Sequence, residues 1–370
     1  PRMSPDVIVI GAGIVGAACA HALAQAGQRV LVLDARLGGA TGAGMGHLVV
    51  MDDNPAELAL SQYSVAQWRA LAPQMPTDCA FSGCGTLWVA ADAEEMAAAE
   101  DKGQRLQDHG IACHLLDAKA LAQAEPALRP GLAGALKVPG DGIVYAPNTA
   151  RWLLSKCEQF VRVEYALAVK IDGKTVHLAD GSTRQAPQLL LANGIHATTL
   201  CPGLPIRPKK GHLLITDRYP GTVHHQLVEL GYVTSAHHSV GPSVAFNLQP
   251  RPTGQLLLGS SRQFDTMDTT VEAEMLQAML QRALAYMPGL ADLNAIRSWC
   301  GLRAATPDSL PILGAHPERD GLWLAVGHEG LGVTTALGTA DVLAALMTGG
   351  TPPLDPTPYG LHRFAEAACA

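Results

Sequence analysis

The sequence predicts an α/β fold that opens on a Rossmann-like nucleotide-binding unit, and three observations point to it. Asp6 to Ile10 reads DVIVI, an apolar, β-branched run suited to a strand buried on both faces. Gly11-Ala12-Gly13-Ile14-Val15-Gly16 follows at once and leads into a helical stretch through Ala26, with Gly27 as the stop. A second strand, Arg29 to Leu33, ends in Asp34. The GxGxxG text alone is weak, but strand, loop, helix, strand and acid in this order form a complete βαβ fingerprint.

Each part of that unit has a physical task. Gly11 permits the tight turn, Gly13 lets a pyrophosphate approach the backbone, and Gly16 brings helix and strand close together. The first helical residues, Ile14 and Val15, offer N–H groups and the positive end of the helix dipole to phosphate. Val15, Cys19, Ala22, Leu23 and Ala26 are expected on one apolar helical face. Asp34 is placed to accept from a ribose hydroxyl, and Ala35 and Arg36 follow it. Arg36 would also suit a 2′-phosphate, so this text by itself leaves FAD and NAD both open.

The bulk properties bound the rest. A chain of 370 residues is long enough for two domains, and 48% hydrophobic against 16% charged residues allows a sizeable core. A net charge of -7 and the lack of any Lys/Arg cluster argue against nucleic acid. Lys209-Lys210, the densest basic pair, reads as an ordinary solvated turn. Eight cysteines without a CxxC pair encode neither zinc nor iron–sulfur ligands, so no metal is expected, and they fit free thiols in a reducing cytoplasm. Residues 7–24 are apolar, yet three glycines and His21 interrupt them, which suits a strand entering a helix rather than a membrane span or signal.

Two further motifs choose between cofactors. Gly38 to Gly46 reads GGATGAGMG, a loop able to bring backbone N–H groups of Ala40, Gly44, Met45 and Gly46 against a pyrophosphate or flavin ring, with a hydroxyl from Thr41. His47 ends this loop. Near the other end, a strand (Leu322 to Val326) meets a turn containing Gly327, His328, Glu329, Gly330, Leu331 and Gly332. A helix then begins near Val333 and Thr334, offering a second anion site whose dipole suits the charge that develops on a reduced flavin. A nicotinamide enzyme would leave this loop unexplained.

Here the sequence resembles the D-amino-acid oxidase superfamily of flavoproteins, which includes glycine oxidase, sarcosine oxidase and D-amino acid dehydrogenases. The resemblance covers nearly the whole chain. It is carried by the three loop glycines, GGATGAG, LLLANG (Leu189 to Gly194), GLRAATPDSLPILG and GHEGLGVTTA, with GCGTLWVA, KKGHLL and GQLLLGSS between them. The texts GMGHLVVMDD and GHEGLGVTTA are most similar to the smaller, β-type subunit of D-hydroxyproline and opine dehydrogenases. The family implies a discontinuous Rossmann-like (GR2-type) FAD-binding domain at 1–80, 143–207 and 300–370, and a substrate domain on a mixed β-sheet at 81–142 and 208–299. It adds expected FAD contacts at Val169, Ala192, Asn193, Gly194 and Gly301. The FAD is expected to be noncovalent, because Cys300 lies one residue away from where sarcosine-oxidase relatives attach theirs.

The resemblance also implies the chemistry: hydride transfer from the α carbon of a small amino or imino acid to flavin N5, giving an imine. Glycine, sarcosine, D-amino acids, D-proline and D-hydroxyproline are the substrate types implied. Arg303 would hold the carboxylate, as the arginine of the corresponding text does in glycine-oxidase-like relatives. Glu329 stands where relatives often carry a second polar or basic group, and His47 and Tyr232 are the other candidate contacts. The tyrosine expected on the substrate-domain strand is missing, since VAFNLQP offers Phe246 and Asn247. The β-type likeness leans towards a dehydrogenase rather than an oxidase, with a second subunit or a membrane-linked electron acceptor as partner and peripheral association with the inner membrane face. The alternatives are a flavin-binding electron-transfer subunit without amine chemistry of its own, and an NAD-dependent dehydrogenase.

Overall fold

The computed structural model describes residues 4–231 and 242–365. Its first sheet has six strands in the order Ile312–Ala315, Leu322–Val326, Gln188–Leu191, Val7–Ile10, Val30–Asp34, Val161–Tyr165. All neighbours are parallel except the Ile312–Ala315 edge. The continuous apolar text of Val7–Ile10 is explained by cover on both faces. Val7 and Val9 pack against the helices Ile14–Gln25 and Gly332–Met347, while Ile8 and Ile10 face the three-stranded sheet of residues 168–185 and the helix Ala197–Leu200.

The helix Ile14–Gln25 departs from the one-sided pattern expected of it. Residues all round it are buried, including Ala17, Ala18, Cys19, Ala20 and Leu23, because it is enclosed by the sheet and by the helices Gly332–Met347 and Ala146–Ser155. Gly27 ends it in the left-handed region, at φ +86°.

The second sheet has eight strands in the order Ala295–Ala305, Arg207–Arg218, Gln255–Phe264, Ser243–Pro250, Gln226–Glu229, Thr86–Ala90, Gly134–Val138, His114–Asp117. It is mixed through one parallel pair, Gln226–Glu229 with Thr86–Ala90. Alternation sorts its two faces. Leu87, Val89, Leu227, Phe246 and Leu248 face the helix Ala273–Tyr286, where Phe246 stacks on Tyr286 at 4.7 Å. Trp88, Ala90 and Val228 face the other way, against Val49, Val50, Leu58 and Val65. That second face meets the first sheet's loops. Among the described residues no helix is long and apolar enough to cross a membrane.

One ion pair is sealed between the helix Ala93–Asp108 and residues 49–58. Lys102 and Asp52 are each 3% exposed and in direct contact, with the Lys102 ammonium 4.1 Å from the Trp88 ring centroid. Burial alone raises the Asp52 carboxyl, but Lys102 and then Arg105 outweigh it and hold the group below its usual value. Replacing Lys102 by Met leaves the carboxylate buried beside Arg105 alone, and should cost about 3 kcal/mol in chemical denaturation. An unfolding midpoint equal to the parent's would contradict this.

Candidate active site and cofactor cleft

The nucleotide loop is closed by approaches that no side chain could survive. A Cβ on Gly16 would lie 1.9 Å from the Gly11 carbonyl oxygen, and one on Gly11 would lie 2.3 Å from that of Ala192. Gly11 also needs its φ of +109°. At Gly13 the crowding atom is the Thr41 hydroxyl, 2.8 Å from a Cβ built there. Thr41 Oγ1 accepts from the Ile14 N–H at 3.0 Å, so the Gly38–Gly46 loop contributes a cap to the first helix. Asp34 Oδ1 accepts from the Ala12 N–H at 3.1 Å, which ties the acid to the loop it was expected to accompany. Ala192 continues the strand Gln188–Leu191 by donating to the Ile10 carbonyl, and Asn193 Oδ1 beside it is buried without a partner among the described residues. Gly194 turns away at φ +58°.

Farther along, the Arg36 guanidinium lies 3.3 Å from the Tyr165 ring centroid. Tyr165, Leu37 and Val169 are exposed. Ala35 links this edge to Asp34.

At the other end, the eight-stranded sheet turns a face stripped of side chains towards the loop. Gly211 and Gly301 are register partners. A Cβ on Gly301 would lie 2.5 Å from the Ala43 Cβ, and one on Gly259 would lie 3.0 Å from Met45 Sδ. Trp299 Nε1 donates to the Ala43 carbonyl at 3.0 Å, and Met45 packs with Leu213, Leu257 and Trp299. Gly44 and Gly46 flank Met45. Gly46 passes the Val144 carbonyl so closely that a Cβ would lie 2.0 Å from it.

Arg303 occupies the same strand face as Trp299 and Gly301. Its Nη1 donates to the carbonyl of Ser261 at 3.2 Å, and its guanidinium lies against the α carbon of Gly211. Gly330, from the C-terminal loop, lies beside its Nε. Glu329, at φ +53°, is neither solvated nor turned to a ligand by itself: Lys209 Nζ donates to its Oε1 at 2.6 Å, with both side chains largely buried. The expected solvated turn at Lys209-Lys210 is therefore wrong. Both lysines lie in the strand Arg207–Arg218, and Lys210, 1% exposed, donates to the Thr270 carbonyl and Glu272. Cys300 points away from the loop, its thiol towards the Thr270 carbonyl.

His47 sits in a polar network. Its Nδ1 contacts Gln226 Oε1, and Asn247 Nδ2 donates to its Nε2 at 3.2 Å. Burial holds the ring below the usual imidazole value, against the raising effect of Gln226. Thr334 Oγ1 donates to the His47 carbonyl at 2.7 Å, so its hydroxyl joins the last helix to the loop. Val333 and Thr334 both accept from Trp68 Nε1 through their carbonyls. His328 turns inward to Thr339, at 3.0 Å, and Leu331 donates back to the His328 carbonyl before the helix starts at Gly332. Gly327, at φ +76°, admits Thr306 where a Cβ would collide. Tyr232 lies outside the described residues. Gln226, Asn247 and Lys209 were missed as site residues; glycines inside the flanking strands, a sign of close approach, were the available signal.

A nucleotide loop joined through the Gly38–Gly46 segment to a glycine-bared face of a second, mixed sheet is the arrangement of a flavin-dependent oxidoreductase, the class the family match gives. The family model described as FAD dependent oxidoreductase (DAO) matches residues 6–346, and the chain belongs to that family. FAD is its cofactor, and the nicotinamide alternative falls away. The chain is 27% identical to a glycine oxidase of Pseudomonas aeruginosa, over 96% of this chain and 98% of the relative. It is 24% identical to an opine oxidase subunit of Rhizobium meliloti, over 97% of each. The crystal structure of glycine oxidase from Geobacillus kaustophilus superposes with a TM-score of 0.86 at 25% identity, covering 97% of this chain and 98% of that one.

Two outcomes follow from the geometry. Gly13→Ala, whose added carbon meets only the Thr41 hydroxyl, should fold but purify without FAD, seen as loss of flavin absorbance with an unchanged circular dichroism spectrum; retention of the flavin would contradict the close-approach argument. His328 is pushed down to about 4 by burial, so the fold favours its neutral form. Stability from this group is complete above pH 6.5 and is lost as pH falls towards 4, by about 3 kcal/mol. The acid sensitivity of stability should be correspondingly smaller in His328→Gln, measured by urea denaturation at several pH values.

Proposed function

We propose that the protein oxidises a small amino or imino acid at the glycine-bared sheet face, with Arg303 as the carboxylate anchor. The observation that carries this reading is Arg303 itself. It is a fork-shaped cation on the same face as Gly211, Gly259 and Gly301, lying over Gly211 where any side chain would displace it. The names of the relatives, a glycine oxidase and an opine oxidase subunit, support the same substrate class.

Bound FAD supplies the two-electron acceptor for the hydrogen on the substrate's α carbon. The protein's part is placement. The carbonyl of Ser261 orients the Arg303 guanidinium, and Lys209 neutralises Glu329 so that its charge does not oppose a carboxylate nearby. Met45, Leu213, Leu257 and Trp299 form a dry wall along the ring end. The loop glycines with Thr41 and Asp34 would hold the nucleotide end, and Cys300, facing away, leaves the FAD noncovalent. In this reading residues 1–80, 143–207 and 300–370 serve the cofactor and the remainder serves the substrate, with the strand Ala295–Ala305 spanning the junction.

A dehydrogenase is favoured over an oxidase, working with a second subunit or a membrane-linked acceptor: one similar chain is named a D-amino acid dehydrogenase, and another is named as one component of an opine oxidase. The same observation favours a second reading, an electron-transfer subunit without independent amine chemistry. Anaerobic titration with glycine, sarcosine and D-proline separates the two: bleaching of the flavin absorbance by one of them supports oxidation, and a yellow protein that none bleaches supports the electron-transfer reading. Arg303→Ala should keep its FAD and lose about 100-fold or more in apparent substrate affinity, as for a buried charge-assisted pair. Unchanged affinity in that variant would remove Arg303 from the site.

A further inference from the structure

We propose that Asn247 binds the substrate's nitrogen, its side-chain oxygen accepting an N–H hydrogen bond while Arg303 holds the carboxylate. This rests on the reading of the site as one for amino or imino acids. Phe246 and Leu248 face the helix Ala273–Tyr286, so alternation turns Asn247 to the cleft face. Its register partner there is Gly259, which adds no side chain between Asn247 and Met45. Asn247 is 8% exposed, and its Oδ1 is buried without a hydrogen-bond partner among the described residues. Such an atom in a polar network calls for a ligand donor.

The network fixes which atom is left over. The Gly142 carbonyl can only accept, and it takes an N–H from Gln226 Nε2 at 2.8 Å. The same nitrogen donates to Thr86 Oγ1 at 3.2 Å, whose own hydrogen goes to Asp141 Oδ2 at 2.7 Å. Gln226 must therefore turn its oxygen to His47, which places the ring proton on Nδ1. Nε2 of the neutral ring then accepts from Asn247 Nδ2, and the Asn247 oxygen is the end of the chain. Gln249 Nε2 also approaches Nδ1, at 3.4 Å, but its oxygen is held by Arg251 and its N–H groups find no acceptor on a protonated Nδ1. Gln226 and His47 are positioning residues in this scheme.

Asn247 and Arg303 share one face of the sheet: Asn247 pairs with Gly259, and Arg303 donates to the carbonyl of Ser261 on that same strand. An acceptor at this point selects an amine, which presents an N–H, over an apolar group of the same shape.

The test uses FAD-loaded protein and calorimetric binding of two carboxylates of one shape. 2-Aminoisobutyrate has no α hydrogen and cannot be oxidised; pivalate carries a methyl group in place of its nitrogen. Asn247→Leu is expected to weaken 2-aminoisobutyrate about tenfold and leave pivalate unchanged. Asn247→Asp, which keeps an acceptor, should retain the preference for the amine. Gln226→Met should weaken the amine selectively as well, by releasing His47 and Asn247. Equal weakening of both ligands, or no change in either, overturns the assignment. A protein that binds 2-aminoisobutyrate through Asn247 but is bleached by no amino acid keeps this assignment and loses the oxidation reading.

Discussion

Where the backbone of Gly11 passes between Gly16 and Ala192, there is no room for a single side-chain carbon on either glycine. That crowding sets the separation of the first helix from the first strand. It brings the helix start within reach of the Thr41 hydroxyl and the Ala12 amide within reach of Asp34. Both contacts draw residues from beyond the first helix back to the loop. The Gly38–Gly46 loop is thereby anchored at one end on the nucleotide unit and at the other on the second sheet, through the Ala43 carbonyl and the indole of Trp299.

The second sheet answers with the same device on a larger scale. Gly211, Gly259 and Gly301 lie in three adjacent strands: Gly301 and Gly259 admit Ala43 and Met45 of the loop, and Gly211 between them admits the Arg303 guanidinium. Charge is placed in matched pairs: Glu329 meets Lys209 on the Arg303 face, Lys210 meets Glu272 on the opposite face, and Asp52 meets Lys102. Neutral amides and an uncharged imidazole occupy the side nearest His47.

Much of this was legible locally. The DVIVI strand, the glycine loop, the second strand with its acid, and the strand Leu322 to Val326 fall within a residue or so of where sequence spacing puts them, because each is written in contiguous text. Arg303 was singled out through the likeness of the GLRAATPD text to relatives whose arginine holds a carboxylate. The His47 network was not, because its members are 179 and 200 residues apart and polar residues in strands leave no periodic mark of their partners. Lys209-Lys210 misled for a related reason: a basic pair looks solvated until the acids that bury it, Glu329 and Glu272, are brought in from distant segments. The enclosure of the first helix on all sides was hidden too, since small residues such as alanine mark buried and exposed faces poorly.

The bond from the Thr334 hydroxyl to the His47 carbonyl spans 287 positions of the chain. The strand Val7–Ile10 likewise adjoins Gln188–Leu191, which in turn needs Leu322–Val326 on its far side. A chain still emerging from the ribosome therefore carries its nucleotide loop long before it carries the segments that roof and brace it. Topology of this kind makes loop closure the slow part of folding. It leaves the cleft unfinished until synthesis is nearly over, so capture of FAD belongs to the completed polypeptide.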